Sequence, residues 1–154
     1  IIFKKELKDI NYSHYKKKNK IELYQELSDL EVGFAQNSLG LYYSELDEGK
    51  HADKAFKYYE KATNNGLIKS CYNLGLCYQK AKGTKKYLKK AFDCIKFSAI
   101  KNHPKSIYML AHFYENGISV EKDEKKAVQL YYEAASHGYK KAYKKLNTLN
   151  FKQT

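Results

Sequence analysis

Three cysteines (Cys71, Cys77, Cys94) and five histidines (His14, His51, His103, His112, His137) are the side chains of this 154-residue chain best suited to hold a metal or attack a carbonyl. A zinc site needs such groups at short, fixed spacings, with thiolates, imidazoles or carboxylates completing the set. No two histidines stand three or four apart with a cysteine or carboxylate in that spacing, and His-Glu-x-x-His does not occur. There is no glycine-rich phosphate loop, nucleophile elbow or kinase motif. The sequence nominates no catalytic residue, no metal ligand and no cofactor, so the chain is read as non-enzymatic. An odd number of cysteines favours free, partly buried thiols and a reducing compartment.

The abundant chemistry is of another kind. All 29 basic residues are lysine, against 17 acids, for a net charge of +12, and 16 residues are tyrosine. Arginine is the usual residue for bidentate recognition of guanine or phosphate, whereas lysine is a hydrated point charge. Specific base readout is therefore disfavoured, and non-specific attraction to nucleic acid through the basic region 67–104 remains the alternative function. The charge is uneven: +5 over residues 1–20, −5 over 21–66, +8 over 67–104 and +4 over 105–154. Such a gradient along a molecule orients a partner or steers its approach.

A repeat positions these residues. Ala35, Leu39, Gly40 and Tyr43 recur as Ser70, Leu74, Gly75 and Tyr78, then as Ser106, Leu110, Ala111 and Tyr114. A weaker fourth copy has Ala142, Leu146 and Asn147. A period of about 36 residues means stacked supersecondary units, a solenoid without a single central core. A second pattern precedes each start: Ala55, Tyr58, Tyr59 and Ala62, then Ala91, Cys94, Ile95 and Ser98, then Ala127, Leu130, Tyr131 and Ala134. These fall at i, i+3, i+4 and i+7, one face of a helix. Asn64 to Gly66, Asn102 to Pro104, and His137 with Gly138 stop each run, because glycine or asparagine suits the left-handed residue that closes a helix.

Each unit is thus a helix A, a loop, a helix B and a tight turn. Gly40, Gly75 and Ala111 share one position and Ala62, Ser98 and Ala134 another, small where helices must cross closely. Changing Gly75 to Leu is expected to overpack that layer at a cost of about 1–3 kcal/mol. Leu23, Tyr24 and Leu27 fit an earlier helix B, and Phe3, Leu7 and Ile10 a degenerate helix A before it. Lys16, Lys17, Lys18 and Lys20 would connect the two. The reading is an all-α right-handed superhelix of about nine antiparallel helices forming one domain over 1–154. It comprises a degenerate unit over 1–31, repeats over 32–67, 68–103 and 104–138, and a capping helix over 139–150, closed by Leu146, Leu149 and Phe151. Cys77 and Cys94 lie on the two helices of one repeat, so contact between them is left open. His103 and His137 fall at helix ends, where a cation suits the dipole. No apolar run reaches about 18 residues. The chain opens on Ile1 without an initiator methionine, so it is read as a fragment or processed form.

The third copy carries the fullest pattern: Leu110 and Tyr114, then Gly117, Val120, Asp123, and the Lys126-Ala127 pair. It resembles the Sel-one-like repeat (SLR) family, relatives of tetratricopeptide repeats, over roughly 20–150. Copies 1 and 2 depart in the loop, where Glu45 to Gly49 is one residue short and Gly83 is displaced; copy 4 has Asn147 for the glycine. Secreted, cysteine-rich members pair a cysteine late in helix B with one eight residues on; Thr63 stands at the first position before Cys71, so that bridge is not formed here. The resemblance implies a scaffold or adaptor that assembles other proteins.

It also implies that the A helices line a concave face. Projected onto this chain, repeat 1 supplies Asn37, Leu41 and Ser44, and repeat 2 supplies Lys69, Tyr72, Leu76 and Gln79. Repeat 3 supplies Lys105, Tyr108, His112 and Glu115, and the cap supplies Lys141 and Lys144. Lys69, Lys105 and Lys141 form a ladder of one lysine per layer, with Tyr72 and Tyr108 beside it. The expected partner is a protein or an extended peptide, acidic or ending in a free carboxylate. The competing expectation is that both tyrosines bury against neighbouring helices.

Overall fold

The computed structural model describes residues 19–150, with the side chain of Asn150 left aside. Among these residues the protein is all helical: α1 (Lys20–Asp29), α2 (Gly33–Glu45), α3 (Ala52–Asn64), α4 (Ile68–Lys80), α5 (Leu88–Ile100), α6 (Pro104–Asn116), α7 (Glu124–Ser136) and α8 (Lys140–Asn150). A short 3-10 turn, Leu46–Gly49, links α2 to α3. The expected first helix around Phe3, Leu7 and Ile10, the lysine connector up to Lys18, His14 and the capping role of Phe151 lie outside the described residues. Each helix packs on its neighbours in sequence, so α2, α4, α6 and α8 are the A helices and α1, α3, α5 and α7 the B helices.

All four turns from B to A share one hydrogen-bond pattern. Leu67 N–H reaches Ala62 O and Gly66 N–H reaches Thr63 O, and equivalent pairs close the turns at Val32, His103 and Tyr139. This 6→1 plus 5→2 arrangement requires a left-handed residue. Gly66, Gly138 and Asn102 supply it, and Glu31 takes the same role with φ 59°. The loops from A to B are alike in repeats 2 and 3: Tyr87 N–H bonds to Tyr78 O, and Asp123 N–H to Tyr114 O. Gly117 ends α6 in the left-handed region, whereas Ala81 ends α4 there with φ 54°. The shorter loop of repeat 1 closes differently, with Asp47, Glu48 and Gly49 all at positive φ.

The small residues sit where the layers touch. A Cβ on Gly40 would come 2.5 Å from Tyr59 Cε1, and one on Gly75 would come 2.9 Å from Ile95. Ala62, Ser98 and Ala134 are fully buried. One continuous core runs from Ala55 to Leu146, so each added repeat extends the packing of the last.

Candidate functional site

The residues projected onto the A-helix face divide into three groups. Lys69, Lys105, Lys141 and Lys144 are exposed, and among the described residues no carboxylate lies within ion-pair distance of any of them. Leu41 is exposed at 38%, while Leu76, Gln79 and His112 are half-buried and one of the two ring nitrogens of His112, Nδ1, has no hydrogen-bond partner. The remaining residues are engaged inside the stack.

Asn37 is a correction to the projected face. It is 3% exposed, and its side-chain carbonyl accepts from Asn73 Nδ2 at 2.9 Å, tying α2 to α4 across one repeat. Ser44 and Glu115 occupy equivalent positions and both receive a B-helix tyrosine: Tyr59 Oη meets Ser44 Oγ at 3.4 Å, and Tyr131 Oη donates to Glu115 Oε2 at 2.7 Å. Lys145 completes the second cluster, 2.7 Å from Glu115 Oε1. Although burial works the other way, the hydrogen bonds from Lys145 and Tyr131 hold the Glu115 carboxyl below its usual range. Burial first, then the adjacent carboxylate, push the Tyr131 phenol well up.

Tyr72 and Tyr108 are half-buried and pack at an angle on the ring that immediately precedes the next A helix. Tyr72 lies 5.5 Å from His103, and Tyr108 lies 5.2 Å from Tyr139 and 5.2 Å from Tyr131. Each ring therefore shows one part to solvent and packs with the other.

His103 corrects the dipole argument, since it is the N-cap of α6, where a cation is disfavoured. Its Nδ1 is 2.8 Å from Ser106 Oγ; Ser106 donates to Ser98 Oγ at 2.9 Å, and Ser98 to Ile68 O at 3.3 Å. Each hydroxyl has one proton, so this chain assigns Nδ1–H as the donor and leaves Nε2 to titrate. Burial, then Lys105 and Lys69, lower the His103 pKa.

Cys71, Cys77 and Cys94 are free thiols. Burial pushes Cys77 and Cys94 up to about 11, and Cys71, on α4, adds to the effect on Cys94. Those values suit inert core thiols rather than nucleophiles. Among the described residues no group of three His, Cys, Asp or Glu side chains could hold a metal, and no helix is long and apolar enough to cross a membrane.

Sequence reasoning missed one periodic contact. Lys54, Lys90 and Lys126 stand over the rings of Tyr43, Tyr78 and Tyr114 at 5.4, 5.4 and 4.5 Å. The signal was present as a lysine just before Ala55, Ala91 and Ala127, the first residue of each full helix B pattern, matched to the last tyrosine of the A pattern. A groove also recurs. It is lined by Ser44, Ala55 and Cys77 in repeat 1, about 450 Å³, and by Glu115, Ala127 and Leu149 in repeat 3, about 560 Å³. In repeat 2 the fully buried Phe113 takes the place of Cys77 and Leu149.

The chain is similar to proteins of several kingdoms. It is 39% identical over 67 residues to the DAP3-binding cell death enhancer 1 of Rattus norvegicus, covering 44% of this chain and 13% of that protein. It is 35% identical over 77 residues to the chitin synthase regulator SKT5 of Saccharomyces cerevisiae, covering 49% of this chain and 11% of the regulator. The chain thus spans a small part of either relative's length. A solved Sel1 repeat protein from Oxalobacter formigenes superposes with a TM-score of 0.70 at 30% identity, over 81% of this chain and 95% of that one. The pattern of the Sel1 repeat matches residues 33–67, 68–103 and 104–139 in tandem, and the chain belongs to the Sel1 repeat family.

Proposed function

We propose that this chain is a non-catalytic interaction module that binds a peptide or a partner domain through the A-helix side of its stack, the concave face of such superhelices. Proteins built of Sel1 repeats are in general protein-interaction scaffolds, and the chain shares that repeat three times over. The observation that carries the reading is the register. Equivalent side chains on successive A helices, Leu41, Leu76 and His112 among them, repeat between the packing positions and keep part of their surface open. Tyr72 and Tyr108 add aromatic surface that is already held in place, and ordered tyrosines are favoured in interfaces because little side-chain entropy remains to be lost.

The test is affinity purification from the source cells at low and high salt, with a paired set of baits. The first bait is wild type, the second carries Leu41→Ser and Leu76→Ser, and the third carries Lys57→Glu and Lys125→Glu on the B helices. Melting temperatures establish that all three fold. The reading expects a defined protein set that survives high salt, is depleted by the A-helix changes and is retained by the B-helix changes. Protein partners indifferent to the A-helix changes would refute the assigned face. Nucleic acid in the eluate, lost at high salt, would instead support polyanion binding through 67–104.

A further inference from the structure

The A helices from repeat 2 onward differ from the rest of the chain in charge. Together α4, α6 and α8 contain seven lysines and one carboxylate, Glu115. That carboxylate is already consumed by Lys145 and Tyr131. The acids of the later repeats lie elsewhere: Lys89 pairs with Asp93 on α5, and Lys122 pairs with Glu124 at the start of α7. Lys69, Lys105 and Lys141 are thus a row of exposed cations with no internal counter-charge among the described residues. Each is the second residue of its helix, so the row follows the repeat.

The row has a fixed pitch. A side-chain hydrogen bond from Asn73 to Asn37 joins α4 to α2. Helices in side-chain contact pack about 8–10 Å apart, and the shared turn geometry carries that interval on to α6 and α8. An extended peptide covers about 10 Å in three residues. The ring neighbours follow the same interval, because Tyr72 with His103 and Tyr108 with Tyr139 form matching ring pairs one repeat apart. In repeat 1 the ladder position is Phe34, 61% exposed and edge-on to Tyr24 at 6.1 Å, so the cationic row ends in an aromatic contact.

We infer that the partner segment of this face is an extended acidic peptide with a carboxylate at every third residue, matched to Lys69, Lys105 and Lys141, and an apolar side chain at one end for Phe34. This rests on the A-helix reading above and adds to it the partner's chemistry and spacing. Charge complementarity selects the acid; the repeat pitch selects the interval.

The experiment uses two fluorescein-labelled peptides of identical composition, each with three glutamates, one leucine and serines. In one the glutamates stand at every third residue, and in the other they are contiguous. Binding is followed by anisotropy at near-physiological salt to wild type, to Lys69→Glu/Lys105→Glu/Lys141→Glu, and to the B-helix reversal Lys57→Glu/Lys89→Glu/Lys125→Glu, which changes net charge equally. The spaced peptide should bind wild type about three- to fivefold more tightly than the contiguous one, as expected when two or three exposed pairs of a few tenths of a kcal/mol each separate them. The ladder reversal should remove that preference and the B-helix reversal should keep it. Equal affinity for both peptides, or equal loss in both reversals, would overturn the inference in favour of diffuse attraction. An oligothymidylate that binds wild type more tightly than the spaced peptide, and is lost in the ladder variant, would overturn it in favour of nucleic acid. Failure of the spaced peptide alongside cellular partners that still depend on Leu41 and Leu76 would discard the acidic segment and leave the A-helix reading standing.

Discussion

Lys126 Nζ stands 4.5 Å from the centre of the Tyr114 ring, and the same pair recurs one repeat earlier as Lys90 and Tyr78 and two repeats earlier as Lys54 and Tyr43. The contact joins the end of each helix A to the start of its helix B, so it acts within the unit that the loop must close. Lys126 is exposed, and a solvated cation over an aromatic ring is worth about 0.5–1 kcal/mol. Lys126→Met, which keeps the aliphatic stem, should lower unfolding free energy by about that amount. Urea titration of a double-mutant cycle with Tyr114→Leu measures the coupling; a coupling of zero would show that the recurrence is packing alone.

The glycine of the A pattern answers to the residue opposite it in helix B. Gly40→Ala places a methyl against the Tyr59 ring, and Gly75→Ala places one against the Ile95 side chain. Ile95 ends in a flexible ethyl arm, whereas the Tyr59 ring is held by Ser44 at 3.4 Å. Gly40→Ala should therefore cost more, about 1–3 kcal/mol, offset only in part by alanine's better helix propensity. Thermal denaturation of the two variants ranks them, and the opposite order would mean that Tyr59 can swing clear.

Ala81 closes α4 with φ 54°, in the position that Gly117 takes at the end of α6. An L-residue there is strained by about 1–2 kcal/mol. Ala81→Gly removes a Cβ and loosens the unfolded chain, so the net gain should be about 0.5–1 kcal/mol. A higher urea midpoint at unchanged slope is the expected result, and a lower one would show that the Ala81 methyl makes contacts worth more than the strain.

Buried thiols give a chemical readout of the stack. With Cys77 and Cys94 pushed up to about 11, roughly a thousandth of each is thiolate at pH 8. Native protein should react with an aromatic disulfide reagent far more slowly than the unfolded chain, in which all three cysteines titrate normally. A fast native phase worth two thiols would mean that the layer between α4 and α5 opens readily.

The repeat was legible because packing constrains it at fixed positions: Leu39, Leu74 and Leu110, the small residues opposite Tyr59 and Ile95, and the left-handed Gly66 and Gly138. The helix order and the turn chemistry follow from those residues alone. The candidate face was less legible, because exposure depends on which side chains find partners across repeats. Asn37 was spaced like a surface residue, but Asn73, one repeat away, captures its side chain. Glu115 is projected onto the open A-helix face, yet Tyr131 and Lys145 converge on it from two other helices. His103 was placed at a helix end correctly, but which end decides the sign of its charge effect. Lys69, Lys105 and Lys141 are exposed because no carboxylate among the described residues reaches them.

That sign gives the last prediction. The His103 imidazole is held neutral in the fold by burial and by Lys105 and Lys69, with the Tyr72 ring 5.5 Å away and its Nδ1–H committed to Ser106. Its folded pKa lies below the unfolded value of about 6.5, so below that pH the unfolded chain binds more protons than the folded one. Stability from this group is present above the unfolded pKa and is lost as pH falls from about 6.5 toward the folded pKa. Glu115 acts in a separate window: its depressed carboxyl keeps its contribution until pH falls below the usual carboxylate range. The melting temperature of wild type should therefore decline between pH 7 and pH 5, and His103→Gln should flatten that limb while leaving the steeper loss at lower pH. Lys69→Gln should shallow the same limb by removing one of the two cations that oppose protonation. An unchanged slope in His103→Gln would place the acid sensitivity elsewhere in the stack.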